Sequence, residues 1–314
     1  MEITDYKEGD EGKIIELYKV VFKREWSYER WLWRFEKNPA GKHLIKLMWS
    51  DGKLVGHYAV SPQKMRIDQK EQLTALSLTT MTHPDYGGRG ICGQLSDSLY
   101  AYLENDLGVK AIWGFPNNNS HYGFVKNLGW TDVGILHTLS IPADRIRSAS
   151  TQHLRAVPSF APSDADVLSD ASWHHRVAVF RDLGYLTWRY QDKPAANYRI
   201  FEFGEPGHGV MVTKLYPSAV SRDMYDINIL EIALVDKGDL KEFIGEVVAA
   251  YSEKIDKVTI WQNLWHNDHL MLEKSGFIPS PPQTYLGVRS HEPIDTTVGN
   301  IRNWYYSFGD SDVY

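Results

Sequence analysis

Leu76-Ser77-Leu78-Thr79-Thr80-Met81-Thr82-His83-Pro84-Asp85-Tyr86-Gly87-Gly88-Arg89-Gly90-Ile91-Cys92-Gly93-Gln94-Leu95 begins a stretch that runs on to Gly129-Trp130 and decides how the chain is built. A β-rich run empties into a glycine-dense turn, and the turn opens into a helix. Ile91, Leu95, Leu99, Tyr102 and Leu103 recur at helical spacing and predict one buried stripe. Gly87, Gly88, Gly90 and Gly93 let the main chain bend sharply and leave its N–H groups uncovered. Bare N–H groups at the positive end of a helix make an anion site suited to a phosphate or pyrophosphate. A short strand over residues 110–115 follows, then Pro116-Asn117-Asn118-Asn119-Ser120-His121-Tyr122.

Gly88-x-Gly90-x-x-Gly93 is formally a dinucleotide fingerprint of the Rossmann type. That fingerprint needs a carboxylate at the end of the second strand, about 20 residues on. Here that strand ends Trp113-Gly114-Phe115-Pro116. A glycine turn without any ligand is the plain alternative. The whole segment resembles motif A and the following motif of the GNAT acyltransferase superfamily, whose members use acetyl-CoA or another acyl-CoA. Gly90 matches the central glycine, and the Asn-Ser-rich turn with Leu128-Gly129-Trp130 matches the downstream motif. Gly87 stands where Arg or Gln is commoner, Cys92 where a small residue is usual, and Val125 where the family often has a catalytic Tyr.

The resemblance implies an acyl-CoA co-substrate and no metal. Its diphosphate would lie against Gly87, Gly88, Arg89, Gly90, Ile91, Cys92 and Gly93, with Asn118 and Asn119 on the pantetheine arm. A backbone N–H near Met81 or Thr82 would polarise the thioester carbonyl, where the strand at 78–82 splays from that at 111–115. Tyr122, His121 and His83 are the candidates for proton transfer, each also readable as an ordinary surface or packing residue. The strand at 73–82 carries no carboxylate to act as general base; Glu71 lies at its far end. Ser120 is expected to cap the following helix, and Cys92 to fill space. His266-x-x-His269 has too few companions for a metal, and the acidic pair Asp310-Ser311-Asp312 falls in a C-terminal tail.

A chain of 314 residues and 36.0 kDa is long for one domain and comfortable for two. No apolar run approaches about 18 residues, so no membrane partner is expected. The acidic start Met1-Glu2-Ile3-Thr4-Asp5 lacks a secretory apolar core, and one Cys fits a reducing compartment, so a cytoplasmic location is expected. Net charge −6 argues against nucleic acid as a partner.

The chain also repeats itself. Trp33-Arg34-Phe35-Glu36-Lys37-Asn38-Pro39-Ala40 parallels Trp188-Arg189-Tyr190-Gln191-Asp192-Lys193-Pro194-Ala195, and each copy is followed by strand, turn and strand. In the first half the turn is Asp51-Gly52, a strong hairpin signal. Each half then supplies a longer strand, a helix, a short strand and a helix closing on Gly plus an aromatic. The expected fold class is therefore α/β: two tandem GNAT-like units, each a mixed, mostly antiparallel sheet flanked by helices. The first is placed at 1–147, a linker at 148–165 around Pro158-Ser159-Phe160-Ala161-Pro162-Ser163, a degenerate second unit at 166–290, and a tail at 291–314. The second unit has Val235-Asp236-Lys237-Gly238-Asp239 where the first has its glycine turn, and two carboxylates would repel a diphosphate. The expected function is N-acyl transfer, acetyl foremost, from acyl-CoA to an amino sugar, amino acid or small amine, with oligomeric state left open. A non-catalytic acyl-CoA-binding regulator and an aminoacyl transferase of the peptidoglycan-bridge type are the alternatives.

Overall fold

Asp51 and Gly52 both adopt positive φ, 51° and 76°, which gives the hairpin the twist its strands require. The computed structural model describes residues 1–290 and 297–314, and its chain clusters into two compact units. Unit 1 comprises Met1–Gly134, Asp192–Pro194 and Tyr285–Gly299; unit 2 comprises Ile135–Gln191, Ala195–Thr284 and Asn300–Tyr314.

In chain order, the first elements are β1 (Glu2–Asp5), α1 (Glu11–Phe22), α2 (Tyr28–Phe35), β2 (Leu44–Ser50), β3 (Lys53–Ile67), β4 (Lys70–Thr82), α3 (Ile91–Asn105), β5 (Ala111–Gly114) and α4 (His121–Asn127). Next come β6 (Thr131–Pro142), β7 (Leu154–Val157), α5 (Pro162–Trp173), β8 (Val177–Val179) and α6 (Leu183–Leu186), which runs into a π-helical turn over Thr187–Gln191. The last are β9 (Tyr198–Phe203), β10 (Gly209–Pro217), β11 (Tyr225–Leu234), α7 (Leu240–Ala250), β12 (Ile255–Gln262), α8 (Asp268–Ser275) and β13 (Ile278–Ser290).

The sheet of unit 1 runs β1-β2-β3-β4-β5 and ends on the later residues of β13; that of unit 2 runs β6-β12-β11-β10-β9-β7. In each, one neighbouring pair is parallel, β4 with β5 and β11 with β12, and the pairs beside them are antiparallel. A parallel pair needs a crossover, and the crossovers are α3 and α7. Both units are thus mixed and mostly antiparallel, as expected.

Ile91, Leu95, Leu99 and Leu103 of α3 pack with Val55, Val60 and Ala75. Tyr102 does not join them: it is 39% exposed, with Lys46 Nζ 5.7 Å from its ring, and Tyr100 takes the buried place. The reason is polar, because the Tyr100 hydroxyl finds buried partners in Tyr58 and Trp130. In unit 2, Phe243, Ile244, Val247 and Val248 of α7 pack on Ile227, Ile229 and Val258.

The stretch expected as a linker contains β7 and the first turn of α5. Of the expected tail, residues 291–296 lie outside the described residues, and from Asn300 onward it is part of unit 2. There Asp310, set apart above as half of an acidic pair, is a counterion. Arg181, fully buried, donates to Asp310 (2.9 and 3.0 Å), to Glu231 (3.0 Å), to Ser307 Oγ (3.1 Å) and to Val179 O (3.0 Å). Burial alone would weaken its hold on the proton, but the two carboxylates raise it further above the usual guanidinium range. The repeat residue Arg189 donates to Gly309 O, Ser311 O and Tyr314 O at 2.9–3.0 Å, so both arginines anchor the C-terminal segment. No helix among the described residues is long and apolar enough to cross a membrane.

Replacing Arg181 by Met strands Glu231 and Asp310 in the core without a cation. The expected cost is about 3–5 kcal/mol, read from urea unfolding; an unchanged midpoint would show that the pairing is immaterial.

Candidate active site

The site starts from a fork between strands. β4 and β5 pair at Ala75↔Ile112 and Leu76↔Trp113. Beyond these, β4 stays with β3 as far as Gly56↔Thr82, while β5 turns to β13 at Gly287↔Gly114. The strands diverge where the acyl group is expected.

A β-bulge sits at the fork. Between His57↔Met81 and Ala59↔Leu78 the register shifts, setting Thr79 and Thr80 against Tyr58 alone. Thr79 has φ +53°, uncommon for a β-branched residue. Its carbonyl lies 2.8 Å from His57 Nδ1. A carbonyl can only accept, so His57 carries its proton on Nδ1. His57 is 0% exposed, its Nε2 has no partner among the described residues, and burial pushes its pKa down to about 4. The neutral ring therefore clamps the bulge.

A second buried network stands beside the fork. Trp130 Nε1–H donates to the Tyr100 hydroxyl (2.9 Å), which is 2.6 Å from Tyr58 OH, itself 3.0 Å from Ser77 Oγ. Indole only donates, so Tyr100 accepts from Trp130, and either hydroxyl can be the donor in each of the two bonds that follow. Ser77 is the first β4 residue past the last pair with β5. Burial raises Tyr100 to about 12, opposed by its hydrogen bonds and by Arg289, whose guanidinium lies 4.6 Å from the ring.

From Met81 (buried) and Thr82 (half-buried) the chain enters a tight turn, Pro84–Tyr86. His83 is tied into it: its N–H donates to Val55 O (2.9 Å), and Nδ1 accepts from the Asp85 N–H (3.3 Å). Residues 87–90 are exposed, and Gly88 and Gly90 sit at φ +75° and +70°, which glycine adopts without strain. A side-chain carbon at Gly88 or Gly93 would meet nothing within 4 Å, so the cradle is open. None of the N–H groups from Gly88 to Gly93 donates to a protein acceptor among the described residues. Gly56 fixes its position, because a Cβ there would come 2.4 Å from Ile91 Cγ2; the bare backbone lets α3 start flush against β3. The Arg89 guanidinium lies 4.7 Å from the Tyr86 ring and Lys53 Nζ 5.8 Å from it, so two cations border the turn. Lys53 follows Gly52 in the hairpin, and no motif marks it. Cys92 is half-buried and burial raises its thiol to about 11, consistent with a packing role.

The downstream turn differs in detail from expectation. Ser120 occupies the cap position of α4 but makes no cap bond. Asn117 Oδ1 accepts from the N–H groups of Asn119 (2.9 Å) and Ser120 (3.2 Å), and the Ser120 hydroxyl faces back onto Asn117, whose N–H it accepts at 3.1 Å. Asn118 and Asn119 are exposed. His121 stacks on Tyr285 with ring centroids 3.8 Å apart, and its Nε2 lies 3.3 Å from Asp132 Oδ2. Tyr122 is 71% exposed. Met81, Thr82, His83 and the cradle thus form one strand–turn–helix unit, whereas His121 and Tyr122 sit on a different helix. The His57 clamp and the hydroxyl chain escaped sequence reasoning, since their partners are 19 or more residues apart.

Residues 2–133 match the family model described as an acetyltransferase (GNAT) domain. Among solved structures, a GCN5-related N-acetyltransferase from Anabaena variabilis aligns at TM-score 0.71 and 14% identity, over 92% of this chain and 72% of that one. Another, from Kribbella flavida, aligns at 0.67 and 14%, over 92% and 70%. The N-myristoyltransferase of Saccharomyces cerevisiae, solved with myristoyl-CoA bound, aligns at 0.63 and 11%, over 91% and 82%. At such identities the likeness is one of fold, and it extends through both units. No curated protein matches the chain.

An unfolded histidine titrates near 6.5 and folded His57 at about 4. Below pH 6.5 the unfolded chain therefore binds a proton that the folded chain refuses. Stability should fall by about 3 kcal/mol as pH drops from 6.5 to 4. His57→Asn, which keeps a donor for Thr79 O, should remove that component of the slope in urea titrations run across this range; an identical slope would refute the buried neutral ring.

Proposed function

We propose, from the premise that residues 2–133 form a GNAT domain and the chain is an acyltransferase, that unit 1 moves an acetyl group from acetyl-CoA to an amine of a small-molecule acceptor. The observation that carries this reading is the open cradle of unpaired N–H groups at the start of α3, beside a strand fork. Such donors suit a diphosphate, and no side chain fills the space they face. Arg89 and Lys53 would add charge for the phosphates, and Asn118 and Asn119 hydrogen bonds to the pantetheine arm.

Acyl-CoA supplies the acyl group activated as a thioester. The chain's contribution is position and electrostatics: the fork admits the acyl end between β4 and β5, and N–H groups near Met81 and Thr82 face a developing oxyanion. An alkyl amine with pKa about 10.4 is almost wholly protonated at pH 7, so deprotonation of the acceptor is a real demand. His121, whose Nε2 lies 3.3 Å from Asp132 Oδ2, and the exposed Tyr122 are the groups on α4 proposed to move protons, with His83 third because its Nδ1 serves the turn. The acceptor class proposed is an amino sugar, an amino acid or a small amine.

Val125 in the place of the family's frequent Tyr, with no carboxylate along residues 73–82, favours a second reading, a non-catalytic acyl-CoA sensor. Calorimetry and product analysis separate the two. Acetyl-CoA should give saturable heat, and Gly90→Glu should weaken binding at least about tenfold, or about 1.4 kcal/mol. Gly93→Glu, at an ordinary φ with open space, should do the same and separates charge from backbone strain. No heat, or full binding by Gly93→Glu, would overturn both readings. Binding without any acetylated amine across a broad panel, by mass spectrometry, would leave the sensor.

A further inference from the structure

The lead into β7 runs against the crossover helix α7 of unit 2, and the sequence lets the two come close. Gly245 of α7 is buried, and a Cβ there would stand 2.5 Å from Ile146 O and 3.2 Å from Ser148 N. Bare backbone permits the contact, and the Ser148 N–H donates to Gly245 O at 3.0 Å. Five residues on, the main chain of His153 is held from two sides. Its carbonyl accepts the Gly204 N–H at 2.9 Å, and its own N–H donates to Glu246 Oε2 at 3.0 Å. β7 then begins by pairing Leu154 with Phe203. These contacts fix where the His153 side chain must start.

That side chain meets two carboxylates. Glu242 and Glu246 stand four residues apart on α7 and share one face. His153 Nδ1 lies 3.1 Å from Glu242 Oε1 and 3.1 Å from Glu246 Oε1, and the three atoms all fall within 4.8 Å of one another. A carboxylate only accepts, so Nδ1 carries a proton in this arrangement, and that one proton faces two oxygens at the same distance. Glu246 is fully buried, so its charge is met by His153 and not by water, whereas His153 and Glu242 are exposed. Two like charges thus stand around a single side-chain donor, one of them in the core. A zinc ion resolves this. Its bonds to imidazole nitrogen and carboxylate oxygen of about 2.0–2.2 Å set tetrahedral ligands roughly 3.3 Å apart, close to the separations about Nδ1. The Nδ1 proton passes through solvent to Nε2, the freed lone pair takes the ion, and water completes the coordination on the exposed side. A nitrogen ligand suits zinc better than calcium or magnesium, which take oxygen.

We propose that His153, Glu242 and Glu246 form a zinc site in unit 2. The ion neutralises the buried carboxylate and ties the lead into β7 to α7. The proposal does not rest on acyl transfer by unit 1.

Calorimetric titration of the full chain with zinc, after removal of metal by EDTA and dialysis, tests it. One ion per chain should bind with Kd below about 10 μM, and calcium at least about tenfold more weakly. His153→Gln and Glu242→Gln each remove one ligand at an exposed position and should each weaken zinc binding at least about tenfold. Far-UV circular dichroism of the metal-free samples should show both variants folded like wild type. Zinc should also raise the unfolding temperature of wild type and leave that of the two variants unmoved. The double variant His266→Gln, His269→Gln, which removes the histidine pair elsewhere in unit 2, should bind zinc like wild type. The proposal is overturned if no zinc binds below about 10 μM, if either single variant binds like wild type, or if calcium binds as tightly, which would mark an acidic patch only.

Discussion

One hydrogen bond, from the buried His57 ring to the carbonyl of Thr79, holds the feature on which the site depends. A strand that kept its register would follow its neighbour to the end, and no space would open between β4 and β5. The bulge at Thr79–Thr80 turns β4 aside, and Thr79 must adopt a left-handed backbone to make it. That strain persists because the carbonyl it turns is met by a donor in a place without water. The same burial keeps His57 neutral, so the clamp does not become a charge inside the core.

The hydroxyl chain from Trp130 to Ser77 braces the opposite side of the fork. Each of its polar side chains has a partner, and a paired buried network specifies a single side-chain arrangement. Gly56 then brings α3 against β3, so that the helix start, with its bare N–H groups, stands just beyond the end of the bulged strand.

The two units share one strand plan and differ in the turn that follows it. Each has one parallel pair, one crossover helix and a fork at the carboxyl ends of that pair. In unit 1 the turn after the strand presents free backbone donors. In unit 2 the matching turn is capped by its own Asp236, and the fork is walled by Tyr305 to Ser307 of a C-terminal segment that Arg181 and Arg189 hold in place.

Much of this was legible in the residues. The Asp51-Gly52 hairpin, the glycine cradle, the helical stripes of α3 and α7 and the paired Trp-Arg-aromatic segments all rest on local spacing, and local spacing survives into the fold because it reflects backbone geometry. Tyr102 and Ser120 were misplaced for the opposite reason. Tyr100 and Tyr102 both lie near the apolar face of α3, and only partners on β3 and at Trp130 decide which is buried; the path of the turn points the Ser120 hydroxyl back to Asn117 and away from the helix. The order of residues by itself led to the expectation of two GNAT-like units with a glycine cradle in the first alone, and the match of residues 2–133 to a GNAT domain agrees with it for the first. Tertiary structure alone decided the bulge clamp, the hydroxyl chain and Asp310 as a counterion, because each joins residues from separate strands, helices or turns, and burial, which sets their charge states, is a property of the assembled core.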